Sequence, residues 1–144
     1  FWAGLKLTNT DVYATDLNQA YFLFGTDDDS GALTTNANLH FVYSVAGTDY
    51  ITDLGIAVAA DTNYRLGISI DSERKVSVFV DGVQYSLTQA TTAGGVASSA
   101  GKGKSIALTD DIDLIPYVGV ICRAGSIDRE LFLMYEKMSR ILFE

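Results

Sequence analysis

The residues able to do chemistry in this chain fall into a few short stretches, and the acidic ones come first. In Asp110-Asp111-Ile112-Asp113, Asp111 and Asp113 share one face if the backbone is extended. Two carboxylates held apart across a glycosidic bond are what glycan hydrolysis requires. A solvated turn or edge is the simpler reading of the same residues. Asp27-Asp28-Asp29 offers a different chemistry, because calcium gathers about six to eight oxygen ligands, mostly from loop carboxylates. The three are consecutive rather than alternating as in an EF-hand loop, and consecutive side chains seldom converge. An acidic, solvated loop is therefore preferred, and no metal is assigned.

The basic stretch Gly101-Lys102-Gly103-Lys104-Ser105 ends like a phosphate-binding loop. The glycine that such a loop needs further upstream would fall at Ser98. The segment that follows, Ile106-Ala107-Leu108, is strand-like where a helix is required. A surface loop that orders on assembly is the default. The single histidine, His40, alternates with Asn38 and Val42 and reads as a structural residue of a strand. With no second His or Cys beside it, no transition-metal site is proposed. The single cysteine, Cys122, lies in the apolar run Val118-Gly119-Val120-Ile121-Cys122 and reads as a buried small hydrophobe. A lone cysteine also excludes an internal disulfide, so packing must hold the fold. Of the 8 tyrosines, most are expected in the core or on sheet faces. Tyr13 and Tyr50, flanked by polar residues, are the expected exposed pair, with rings suited to an interface or to a sugar face.

These groups must be carried by strands. Hydrophobic residues make up 48% of the chain and charged residues 19%, which excludes a disordered polypeptide. At 144 residues the expectation is a single domain over residues 1–144. One proline and 13 glycines punctuate short runs rich in Val, Ile, Tyr and Phe. In residues 64–71, Tyr64, Leu66, Ile68 and Ile70 alternate with Arg65, Gly67, Ser69 and Asp71, the period of a half-buried strand. A polar turn leads into Lys75-Val76-Ser77-Val78-Phe79-Val80, and Asp81-Gly82 then joins it to Val83-Gln84-Tyr85-Ser86-Leu87. Asp-Gly between two such runs is a hairpin signal, because a type I′ turn needs positive φ at both central residues. Residues 64–87 are expected as a three-stranded meander. Further strands are expected near 1–8, 20–25, 38–46, 49–58, 104–108 and 116–123. A polar loop is expected over 26–37 and a long mobile loop over 88–104. The segment 131–142 fits a helix face through Leu131, Met134, Tyr135, Met138 and Leu142, or a strand through Leu131, Leu133 and Tyr135. Because Phe1-Trp2-Ala3-Gly4-Leu5 reads like the middle of a strand, residues upstream of Phe1 are expected. The fold class is all-β, an antiparallel two-sheet β-sandwich or jelly roll.

Net charge is −8, and the 10 Lys and Arg are scattered. That distribution lacks the basic footprint of a nucleic-acid binder and is unattractive to an anionic membrane surface. No apolar run approaches the roughly 18 residues of a membrane-spanning helix.

The run Tyr64 to Asp71, followed by Lys75-Val76-Ser77-Val78-Phe79-Val80-Asp81-Gly82-Val83, resembles the concanavalin A-like, laminin G-like family. There an aromatic residue opens a strand and the next strand ends in an aromatic-x-Asp-Gly hairpin. Phe1-Trp2-Ala3-Gly4-Leu5-Lys6-Leu7 looks like that family's early strand, and Tyr21-Phe22-Leu23-Phe24-Gly25 like the strand paired with it. Glu130 to Lys137 looks like its closing strand, which favours a strand at the C-terminal end. The resemblance covers most of the chain. It speaks to fold more than to function. It implies a place among the structural proteins of tailed phages, as a capsid decoration or tail appendage. The partners would then be other virion proteins such as the capsid protein, the chain would form a homo-oligomer, and its location would be the virion. A carbohydrate-binding module or adhesin is the alternative, using Asp27, Asp28, Asp29, Tyr13 and Tyr50 on a surface glycan, with calcium as the one conceivable cofactor. The glucanase branch carries Glu-x-Asp-x-x-Glu on one strand. This chain has no such motif, so it is not expected to be an enzyme.

Overall fold

A computed structural model describes residues 1–8, 16–26, 33, 35–89, 95–96, 103–120, 133–134 and 136–139. They form an all-β, two-sheet sandwich. The strands are β1 (Trp2–Lys6), β2 (Gln19–Leu23), β3 (Asn38–Val45), β4 (Thr48–Ala57), β5 (Leu66–Ile70), β6 (Val76–Val80), β7 (Val83–Tyr85), β8 (Gly95–Val96) and β9 (Ile115–Gly119). The larger sheet runs β8-β4-β3-β2-β1-β9, antiparallel throughout except for the two-residue β8, which pairs parallel with β4. The smaller sheet is the expected meander, β5-β6-β7.

Turn chemistry fixes the hairpins. Asp81 and Gly82 have φ of 51° and 84°, as a type I′ turn between β6 and β7 demands. Ala46 and Gly47, at 50° and 84°, make the equivalent turn between β3 and β4, where Val45 pairs with Thr48. Alanine lacks the conformational freedom of glycine there, so this hairpin was not announced by its sequence.

Alternation sorts the side chains. Ala20, Phe22, Leu39, Phe41, Tyr43, Tyr50 and Leu54 of the large sheet face Val76, Val78 and Val80 of β6, and Leu87 and Leu108 close the layer. Phe22 and Phe41, opposite one another in register, meet edge to face at 5.1 Å. Truncating one such ring to alanine costs about 3–5 kcal/mol. A second apolar cluster, Trp2, Tyr21, Leu23, Leu33 and Val42, lies on the other face of the large sheet.

Four expectations need correction. Residues 104–108 are not a strand. Ala107 makes one isolated bridge to Lys75, and Ser105 N and Leu108 N donate to Val76 O and Arg74 O. The segment is a strap laid along β6. The stretch 88–104, expected as a mobile loop, contains β8, and its end is anchored: Leu87 N donates to Gly103 O, and Gln89 Nε2 to Lys104 O. The buried Ser105 binds Val76 N through its hydroxyl, which explains the anchoring. In the polar stretch 26–37, Leu33 is buried and contributes to the second cluster. Finally, Leu133, Met134 and 136–139 adopt neither strand nor helix. The rest of the expected closing strand, and Cys122, lie outside the described residues.

Candidate functional site

The larger sheet presents its outer face as three rows read across the strands. The central row runs Tyr117, Gly4, Tyr21, Val42, Ile51. Gly4 is required there. A Cβ would strike the Ala20 carbonyl and Tyr21 Cα, both backbone atoms of β2, and Tyr21 Cβ at 2.6 Å. Trp2 stacks on Tyr117 at 5.7 Å and 7°, and its ring lies over Gly119, where a Cβ would meet it at 2.5 Å.

The rows on either side carry polar side chains, most of them buried, with Asp49 exposed at one end. In one, Gln19 Nε2 donates to Ser44 Oγ at 3.1 Å, and Ser44 Oγ donates to Asp49 Oδ1 at 2.5 Å. Lys6 lies in that row opposite Ile115 of β9, its side chain fully buried and its amine 5.0 Å from the Tyr117 ring centroid, over a face that attracts cations. In the other, His40 sits opposite Asp53. A β-bulge follows, because Leu39 pairs with Ile56 and leaves Leu54 and Gly55 over. Gly55 supplies the φ of 68° that this needs. Asp53 Oδ1 accepts from Gly55 N at 2.7 Å, and both its oxygens accept from Asn38 Nδ2, at 2.9 and 3.1 Å. His40 Nδ1 lies 3.0 Å from Asn38 O, and Nε2 lies 3.9 Å from Asp53 Oδ2. Both side chains are buried, so no dissolved substrate reaches them in this arrangement. The pair locks the bulge.

The exposed chemistry lies elsewhere, at the turn after β5. Asp71 Oδ1 accepts from Glu73 N and Lys75 N, each at 2.9 Å, and Oδ2 accepts from Lys104 Nζ at 2.7 Å. The hydrogen bond from Lys104 leads in holding the Asp71 carboxyl below its usual range, and the backbone bond from Lys75 adds to it. Lys75 Nζ donates to Glu73 at 2.7 Å, which raises the lysine above its ordinary value. Arg74, at φ 62°, donates from Nε to Leu108 O and lies 3.3 Å from Asp110. Beside this network, Ile70, Arg74, Leu108, Thr109, Ile112 and Leu114 line an open apolar hollow of about 100 Å³.

Of the expected site residues, the structure describes Tyr50, Asp111 and Asp113. Asp27, Asp28, Asp29 and Tyr13 lie outside the described residues. Tyr50, expected to be exposed, is 9% exposed and stacks on Tyr43 at 4.7 Å and 8°. Its polar neighbour Asp49 misled, because in a strand adjacent residues point to opposite faces. Asp111 and Asp113 share no strand face: Asp111 has φ 54° and the stretch bends in solvent. Lys104 is exposed, but Ser105 is buried in the strap against β6. Among the described residues, no three His, Cys, Asp or Glu converge.

Sequence reasoning missed a set of exposed apolar side chains. Leu133, Met134 and Met138 are 58%, 77% and 64% exposed, and the described residues around them, Glu136, Lys137 and Ser139, are exposed as well. Their apolar character suggested a core-facing element, and nothing in their spacing distinguishes a core face from a surface awaiting a partner. Comparison with protein-family models, with curated proteins and with solved structures finds no match to this chain.

Proposed function

We propose that this chain is a non-enzymatic structural protein of a virion, a capsid decoration or tail appendage of concanavalin A-like, jelly-roll type. It works by docking onto other virion proteins such as the capsid protein. The observation that carries the reading is the exposure of Leu133, Met134 and Met138 along one C-terminal segment. Scattered apolar side chains are ordinary on a surface, but three large ones grouped in sequence favour contact with protein. Methionine suits such a contact, because its flexible thioether adapts to an irregular partner. Covering the three contributes on the order of 1–2 kcal/mol each. The acidic remainder of the chain, at net −8, stays in water and discourages unspecific association.

The test is binding of the purified protein to isolated particles and to capsid protein. Saturable binding at fixed stoichiometry is expected. Replacing Leu133, Met134 and Met138 together by serine should weaken it tenfold or more and leave the melting temperature unchanged. A parent protein that binds no virion component, and instead retains a surface glycan on an array with calcium present, would overturn the reading.

A further inference from the structure

The smaller sheet ends on β5, and among the described residues no strand pairs with its outer edge. Backbone hydrogen bonds show which groups remain there. Arg65 O accepts from Asp81 N at 2.8 Å, Arg65 N donates to Asp81 Oδ1 at 2.9 Å, and Asp71 N donates to Lys75 O at 3.1 Å. Odd-numbered residues therefore turn toward β6. Antiparallel alternation aims the N–H and C=O of Leu66, Ile68 and Ile70 at the open side. Edges of this kind are usually guarded by a lysine, a proline or a bulge. Leu66-Gly67-Ile68-Ser69-Ile70 has none of these, and Ile70, at the rim of the apolar hollow, is 41% exposed.

We propose that β5 pairs antiparallel with β5 of a second copy of this chain, about a two-fold axis through Ile68. The inference rests on the reading of the chain as an assembly module and supplies its oligomeric contact. In that register Ile68 meets its own counterpart, and Leu66 meets Ile70 of the partner subunit. These are the residues whose backbone groups face the edge, so each pair exchanges both hydrogen bonds. On the inward face, Leu66, Ile68 and Ile70 of the two copies form one continuous apolar row. On the outward face, Gly67 lies beside Ser69 of the partner subunit, and neither is bulky. Arg65 falls opposite Asp71 of the partner subunit. The charges are complementary, and a register shifted by one residue would lose the match and reverse the faces. Arg65 is free to serve: its side chain is 72% exposed, and its own-chain ion pair with Asp81 is long, at 3.8 Å. The repulsion between two acidic chains is screened beyond about 8 Å at physiological ionic strength. An isologous two-fold contact is also the commonest route to a closed oligomer.

Sedimentation velocity over a concentration series tests this, with the parent and two single variants. Ile70→Lys places a charge on the inward row at an already exposed position. Arg65→Glu puts like charges opposite each other across the axis. The parent should sediment as a dimer, and each variant should raise the dissociation constant tenfold or more while keeping the parent's far-UV circular dichroism and a cooperative melt. A parent that stays monomeric up to about 1 mM, or a dimer that persists unchanged in both variants, would overturn the proposal. A dimeric parent that binds no particle leaves the dimer standing and removes only the docking reading.

Discussion

Replacing Tyr43 by phenylalanine tests how the sandwich is closed. The ring is fully buried and stacks on Tyr50. Its hydroxyl donates to Thr88 O at 2.8 Å and accepts from Ile106 N at 3.4 Å. One oxygen thus ties the segment after β7 and the strap of 103–108 to the centre of β3. Phenylalanine keeps the stack and removes the oxygen. A fully buried acceptor deprived of its donor costs about 1–3 kcal/mol, and the Thr88 carbonyl is only part-buried, which places it at the lower end. The longer bond adds little, since it lies beyond the usual N–H···O range. The expected loss is therefore about 1–2 kcal/mol in urea unfolding near neutral pH, with the slope against urea unchanged. A second signature follows from ionisation. Burial pushes the Tyr43 hydroxyl up to about 12, from its ordinary value of 10.0. As pH rises between those values, the unfolded chain releases this proton and the folded chain retains it. The unfolded state then binds fewer protons, so stability falls with rising pH. The parent should show this alkaline decline and the phenylalanine variant should show less of it. A variant within about 0.5 kcal/mol of the parent that keeps the full decline would refute the role assigned to the hydroxyl.

Other perturbations separate backbone from surface effects. Gly4→Ala should cost about 3 kcal/mol or more, or prevent folding, because the added methyl meets β2 backbone that cannot turn aside; thermal melting decides it, and a stable variant would show that β1 and β2 separate easily. Asp71→Asn should flatten the acid side of the stability profile. The folded carboxyl sits below its ordinary 3.8, so its contribution is present above that value and is lost as pH falls through the lowered one; an unchanged profile from acid titration of unfolding would contradict the Lys104 contact. The serine variant at Leu133, Met134 and Met138 should unfold within about 0.5 kcal/mol of the parent, since more than half of each residue is already in water.

Much of the architecture was legible before any coordinates. The meander was readable because period-2 alternation and Asp81-Gly82 are local signals, and local signals survive folding. The pairing of the Phe1–Leu7 region with the Tyr21–Phe24 region was anticipated too, from resemblance. Strand ends moved by a residue or two, as hydrogen-bond geometry rather than composition sets them. The candidate site was less readable. Polar neighbours suggested that Tyr50 faces solvent, but a strand's phase is set by which face the partner sheet covers. Asp111 and Asp113 looked like a pair only while Asp111 was assumed extended.

Alone, the amino-acid sequence determined the fold class, the meander and the type I′ turn between β6 and β7, because each depends on neighbours within a few residues. It also determined the acidity, a net charge of −8. Tertiary structure decided the rest. Register across four strands placed Lys6, Gln19, Ser44 and Asp49 in one row, though up to 43 positions separate them by residue number (49 − 6). Packing of the strap against β6 turned Ser105 from a loop residue into a buried one. Only the assembled sandwich shows that, among the described residues, no strand pairs with the outer edge of β5 and that Leu133, Met134 and Met138 are largely exposed. Burial and pairing depend on what else occupies the space, and a sequence lists residues without saying which ones run out of partners.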